Sequence, residues 1–165
     1  METEQLKRFL LSSLGAIGPV LLIIGTFSVW ATVKDESGRW VIYGYSFADG
    51  GLLLSLGIIG LILVATAGVY LRKSMAIGVM AIGILSLMIC LYEIMTFSAF
   101  PVGRLFKIAG REASSNCSIS VGIGLYLGII GSIVILVVGL ILLVIADEEE
   151  KDRLRGFTPP SIPAD

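Results

Sequence analysis

The chain contains no histidine and only two cysteines, Cys90 and Cys117, among its 165 residues. Two thiols without an imidazole cannot build a zinc site of the usual kind. No Ser-His or Cys-His dyad can form, and no imidazole is present to hold a haem or chlorophyll metal. A quinone or lipid site needs no histidine and stays open. The two cysteines do not form a Cys-x-x-Cys pair, so the active motif of a thiol-redox enzyme is missing. Charge is also scarce, at 15% of residues with a formal net charge of −1. Bulk charge therefore names no partner, and no basic face marks a nucleic-acid binder. No glycine-rich phosphate loop is present, because Gly122-Ile123-Gly124 opens an apolar run rather than a soluble α/β unit.

What the chain has in place of charge is apolar length. Hydrophobic residues make up 56% of it and the mean hydropathy is +0.95. Four stretches are almost free of charge: Phe9–Val33, Gly50–Leu71, Met75–Phe97 and Val121–Ala146. At about 1.5 Å per residue each can cross a hydrocarbon core of about 30 Å as a helix. The expected fold is an all-α membrane protein, an antiparallel bundle of four transmembrane helices. Residues 1–155 form one membrane domain, because the loops and tails are too small for a separate core. Residues 156–165 hold three prolines and read as a loose tail.

The first run is longer than the 7–15 residues of a signal-peptide core, and Glu2 and Glu4 dilute the positive leader Lys7-Arg8, so it reads as an uncleaved anchor. Placing the ends and the Arg72-Lys73 turn on one side gives that side Lys7, Arg8, Arg72, Lys73, Lys151, Arg153 and Arg155. The other side receives Lys34, Arg39, Arg104, Lys107 and Arg111. The pairs tight against the span ends count most. The expected location is the cell membrane, multi-pass, with both termini cytoplasmic.

Gly15, Gly18 and Pro19 lie within the first span, and the proline predicts a bend there. Trp30 fits an interfacial aromatic belt. The first outer loop places a polar turn, Lys34 to Arg39, between Ala31-Thr32-Val33 and a β-prone run from Trp40 to Phe47, which predicts a short hairpin. Trp40, Tyr43, Tyr45 and Phe47 form either a headgroup-level belt or an outer binding surface. Asp49 is placed to cap the second span. The Arg72-Lys73-Ser74 turn makes spans two and three antiparallel neighbours. In the second outer loop Val102–Gly110 mixes apolar and basic residues, as a short helix lying in the interface does. Asn116-Cys117-Ser118 matches the N-glycosylation pattern, and chance accounts for such a match in most settings.

In span four, Gly124, Gly128 and Ser132 fall at four-residue spacing on one face, where a neighbouring backbone can come close. That closeness serves packing inside the bundle or between protomers. Past Ala146 the helix continues into water, with Asp147 four residues before Lys151 and Glu149 four before Arg153. Glu93 is the one acid within a span, about 6 Å of helix from its outer end. It can snorkel to the headgroups, pair with Arg104, Lys107 or Arg111, or serve as a ligand or proton site. Cys90 lies about 10 Å below the same end, so a bridge to Cys117 requires the loop to dip inward.

Certain local features resemble a loose set of small prokaryotic four-span proteins of unassigned function. They are Gly25-Thr26-Phe27-Ser28-Val29-Trp30, the Asp49-Gly50 start of span two, and Val121-Gly122-Ile123-Gly124-Leu125-Tyr126-Leu127. The outline is also similar to claudin-type proteins, without their Gly-Leu-Trp and paired loop cysteines and with a much shorter first loop. Barrier or adhesion function is therefore not carried over. The expected role is non-enzymatic: an interaction or accessory subunit that partners the lipid bilayer and other membrane proteins or itself, with no cofactor and no nucleic acid. The alternative is a small transporter, channel or lipid-binding protein with a cleft near Pro19 and Glu93.

Overall fold

The computed structural model of the chain describes residues 2–35, 38–70, 72–99 and 118–155. Within them the chain is mostly helical: α1 Glu2–Phe27, α2 Ala48–Val69, α3 Lys73–Ala99 and α4 Ile123–Arg155. Three strands accompany the helices, β1 Val29–Asp35, β2 Gly38–Tyr43 and β3 Ser118–Val121, with a single 3-10 turn at Gly44–Ser46. Helices α2, α3 and α4 are each long and apolar enough to cross a membrane, whereas the apolar part of α1 described at side-chain level, Ser12–Phe27, is shorter. The expected interfacial helix at Val102–Gly110, Cys117 and its glycosylation pattern, and the tail at 156–165 lie outside the described residues.

The sequence reading of an all-α chain needs correction at the ends of spans one and four. Helix α1 stops at Phe27, not Val33, and α4 starts at Ile123, not Val121. Residues 29–33 instead form the middle strand of a sheet ordered β2-β1-β3, antiparallel throughout. The physical reason is local. Val29, Thr32 and Val33 are β-branched, Trp30 is aromatic, and both edges of this strand find ladder partners. Val33 pairs with Trp40 on one side and with Ile119 on the other. The hairpin agrees with the sequence reading, and Gly38 sits at its turn with φ 138°, a conformation that favours glycine. The third strand has no such signal, because Ser118–Val121 is short and pairs across 84 or more residues of chain.

The helices run up and down in a closed ring: α1 packs on α2 and α4, and α3 on α4 and α2. The broad seams are α3–α4, α1–α4 and α1–α2, while the α2–α3 seam is the thinnest although the shortest connection joins that pair. The ends of α1 and α3 and the starts of α2 and α4 lie at the sheet end of the bundle. Helix α1 continues unbroken through Pro19, whose ring packs against Gly60 of α2. Asp49 is not the cap of α2: it lies inside the first turn, and the capping position is Phe47. There the carboxylate still favours the helix through the macrodipole.

The inside and outside of the bundle invert the pattern of a soluble protein. Glycine, alanine and hydroxyl residues share the interior with a few large side chains such as Leu22, Leu53, Leu125 and Ile135. Large apolar residues stand exposed on all four helices, among them Ile24 and Phe27 on α1, Ile59 on α2, Met88 on α3 and Ile133 on α4. A girdle of this size exposed to water would be a severe liability, and lipid removes that cost.

Candidate functional site

The sheet end holds the most elaborate arrangement of side chains. In the β1–β2 register an irregularity falls between Val29 and Ala31, so Trp30 is the extra residue. A bulge re-aims the side chain it carries, and here the indole turns into the bundle, where it is 1% exposed. The sequence placed Trp30 in an interfacial belt. The structure makes it an internal wedge. Its Nε1–H donates to the Gly25 carbonyl at 2.9 Å, which supplies the partner that a buried indole requires. Its ring stacks on Phe47 at 5.5 Å, and Phe47 meets Phe97 of α3 at 5.6 Å. The three rings join β1, the start of α2 and the end of α3.

Room for the indole comes from two glycines. Any side chain at Gly44 would overlap the Trp30 ring, and a methyl at Gly124 would sit 2.6 Å from its Cδ1. Gly122 closes the cap, its N–H donating to the Trp30 carbonyl at 2.8 Å. The sheet is thereby fastened to α1 through Ser28 and to α4 through Gly122.

The expected packing motif divides between two neighbours. Gly124 faces Gly25 and Trp30, whereas Gly128 faces the Cys90 sulfur of α3. Ser132 is fully buried and donates to the Gly128 carbonyl of its own helix at 2.7 Å. The tight α1–α4 approach joins Gly124 of that pattern to Gly18, Gly25 and Gly131, which the pattern does not include. A methyl on Gly18 would lie 2.9 Å from the Gly131 carbonyl, and one on Gly25 would lie 2.8 Å from the Gly124 carbonyl. The readable signal was seven-residue spacing, Gly18 to Gly25 and Gly124 to Gly131, which is two helical turns on one face. These contacts are internal to the bundle.

Glu93 is fully buried, as is Cys90 one turn before it on the same face of α3. The carboxylate is therefore enclosed by protein and does not snorkel. Arg104, Lys107 and Arg111, its expected partners, lie outside the described residues. Cys90 is a free thiol packed against α4, its sulfur lying against Gly128, and Cys117, the other end of the bridge that the sequence left open, lies outside the described residues. Pro19 packs on Gly57 and Gly60 of α2, and Glu93 shares the α3 face that Cys90 turns to α4. The other buried hydroxyls are satisfied locally. Thr26 donates to the Leu22 carbonyl at 3.0 Å and Ser86 to the Ile82 carbonyl at 2.7 Å, as hydroxyls in apolar helices commonly do.

The four outer-loop aromatics part company. Phe47 is buried and Trp40 half-buried, so neither forms the expected outer surface. Tyr43 and Tyr45 are exposed and stacked at 5.6 Å, and Tyr45 continues to the exposed Phe27 at 6.2 Å. Strand alternation is the reason: Trp40 and Ile42 face inward, and Arg39, Val41 and Tyr43 face outward.

At the opposite end of the bundle Lys73 Nζ donates to Asp147 at 2.8 Å and lies 3.8 Å from Glu150, while Lys151 meets the other Asp147 oxygen at 2.8 Å. The hydrogen bonds from Lys151 and Lys73 hold the Asp147 carboxyl well below the usual range, at about 2. The Asp147–Lys151 pair is the i,i+4 pair expected from the sequence. The Lys73 clasp, which joins the start of α3 to the end of α4, was not readable from it. No family model matches the chain, and no curated protein does either.

Proposed function

We propose that the chain is a small integral membrane protein with four spans, α1 supplying the fourth, that acts as a non-enzymatic accessory or interaction subunit of a membrane complex. The apolar girdle on all four helices supports the membrane setting. For α1 the uncharged stretch Phe9–Phe27 has 19 residues and rises about 28 Å as a helix. The charge distribution supports cytoplasmic termini and puts the sheet on the outer side.

The observation that carries the accessory reading is the exposed Tyr43–Tyr45–Phe27 ladder on a sheet fastened to two helices. Rigid exposed aromatics are the side chains that anchor protein interfaces. Isolation in mild detergent tests the reading. A stoichiometric partner that survives size exclusion, and is lost on Tyr43→Ser with Tyr45→Ser, is the expected result. A single monodisperse species in the native membrane extract counts against it.

The enclosed carboxylate of Glu93 favours the second reading, a small transporter, channel or lipid-binding protein. A change in ion flux or lipid transfer in reconstituted vesicles on Glu93→Gln would support it, and unchanged flux would dismiss it.

A further inference from the structure

The outward face of the sheet has a composition of its own. Strand β2 presents Arg39, Val41 and Tyr43 in a row, all exposed, spaced about 6.7 Å apart by the two-residue repeat. Lys34 of β1 lies directly opposite Arg39, and Ser118 of β3 directly opposite Lys34. The next row holds Val41, Thr32 and Ser120 in register. Lys34, Arg39, Ser118 and Ser120 are all exposed. Among the residues whose side chains are described, the charged groups on this face are Lys34 and Arg39, and the described ion pairs lie at the other end of the bundle.

Two cations directly opposed across a ladder destabilise a sheet. The inward face, with Ala31 and Val33 fully buried, accounts for the strand pairing without them. Because that buried face is turned to the bundle, the cationic face is turned away from it.

We propose that this face docks an extended acidic segment of a partner protein, laid alongside β2, with its carboxylates on Arg39 and Lys34 and its apolar side chains on Val41 and the Tyr43–Tyr45 ladder. The proposal rests on the accessory-subunit reading and names the chemistry of the partner. Charge complementarity selects an acidic occupant. The linear Arg39-Val41-Tyr43 row, at strand spacing, selects an extended one.

The test uses the full chain in phosphatidylcholine nanodiscs and two fluorescent peptides, one alternating Glu and Val and the other alternating Lys and Val. The Glu peptide is expected to bind with a salt-sensitive affinity and the Lys peptide to bind much more weakly. Lys34→Ser with Arg39→Ser should weaken the Glu peptide about tenfold, the effect of losing two exposed charge contacts. Lys34→Glu with Arg39→Glu should reverse the preference toward the Lys peptide. Both positions are exposed, and an unchanged helical circular dichroism signal verifies the fold of each variant. No preference between the peptides, or a preference that survives the charge reversal, overturns the proposal. So does a double variant that loses capture of added phosphatidylserine vesicles while keeping the Glu peptide, since the face would then read lipid. A stoichiometric partner whose binding ignores Lys34 and Arg39 leaves the accessory reading standing and removes this site.

Discussion

The α1–α4 seam and the α2–α3 seam have opposite relations to the sequence. Helices α2 and α3 are joined by a turn of a few residues, yet they share the thinnest contact in the ring. Helices α1 and α4 are separated by most of the chain, yet their backbones come close enough that Gly18 and Gly25 face the carbonyls of Gly131 and Gly124. At the α2–α3 seam the glycines meet only side-chain tips, Gly78 near Leu63 Cδ1 at 3.3 Å and Gly60 near Ile82 Cγ2 at 3.5 Å. Chain connectivity makes two helices neighbours, but small residues facing a backbone make them a tight joint. In lipid this distinction matters more than in water, because apolar side chains gain little by leaving the bilayer and close packing carries the association.

Four tests would sharpen or break this comparison. The largest effect is expected at the wedge that seals the tight seam. Trp30→Ala removes a buried ring, its bond to Gly25 and its stack on Phe47, and should cost about 3–5 kcal/mol in detergent unfolding. Trp30→Phe, which keeps a ring, should recover most of that loss. A loss below about 1 kcal/mol for Trp30→Ala would mean that the cap does not hold the bundle.

Next come the glycines themselves. Gly18→Ala places a methyl against the Gly131 carbonyl and Ile135, and should destabilise by about 2 kcal/mol through overpacking. Gly78→Ala meets only the flexible end of Leu63 and gains helix propensity, so it should be neutral or stabilising by up to about 1 kcal/mol. Equal effects at the two sites, read by thermal unfolding in one detergent, would erase the difference between the seams.

Cys90 reports on the α3–α4 seam without perturbing it. Buried against Gly128, its thiol should resist N-ethylmaleimide in the folded protein and react fully after denaturation. Gly128→Ala, whose new methyl would lie 2.7 Å from the sulfur, should speed labelling severalfold. Measured in a Cys117→Ser background so that Cys90 is the sole thiol, rapid labelling of the native chain would show that the seam is open.

The smallest effect belongs to the clasp at the end away from the sheet. Asp147 has a folded-state pKa depressed to about 2, so its contribution is present above the usual carboxylate value and is lost as pH falls from about 4 through about 2. Its ammonium partner Lys73 is shifted upward by the same contact, so that side of the pair fails only at strongly alkaline pH. Asp147→Asn should flatten the acid limb of the Tm-against-pH curve relative to the parent. An unchanged acid limb would show that the clasp is too solvated to register, as many exposed pairs are.

Much of the fold was legible in the chain because the signals were local. Long uncharged runs announce helices that lipid can surround, and the polar turn with Gly38 announces the hairpin. The candidate site was less so. Tyr43 and Tyr45 lie exposed, but Phe47, which sits beyond strand β2, turns inward to stack on Trp30 and meet Phe97, contacts that no local pattern records. Glu93 stands out in the sequence as the one acid within a span, and its distance from the helix end suggests a shallow site, whereas in the folded chain it is fully buried.

By itself, then, the amino-acid order determined which stretches must leave water, where the chain turns, and which chemistries lack their residues. These follow from composition and short-range spacing. The tertiary structure alone decided that residues 29–33 leave the helix for a strand between β2 and β3, that Trp30 becomes the wedge, and that α1 and α4 form the tight seam. Each of those outcomes depends on partners distant in the chain, where no local pattern records which backbone will be close enough to exclude a side chain.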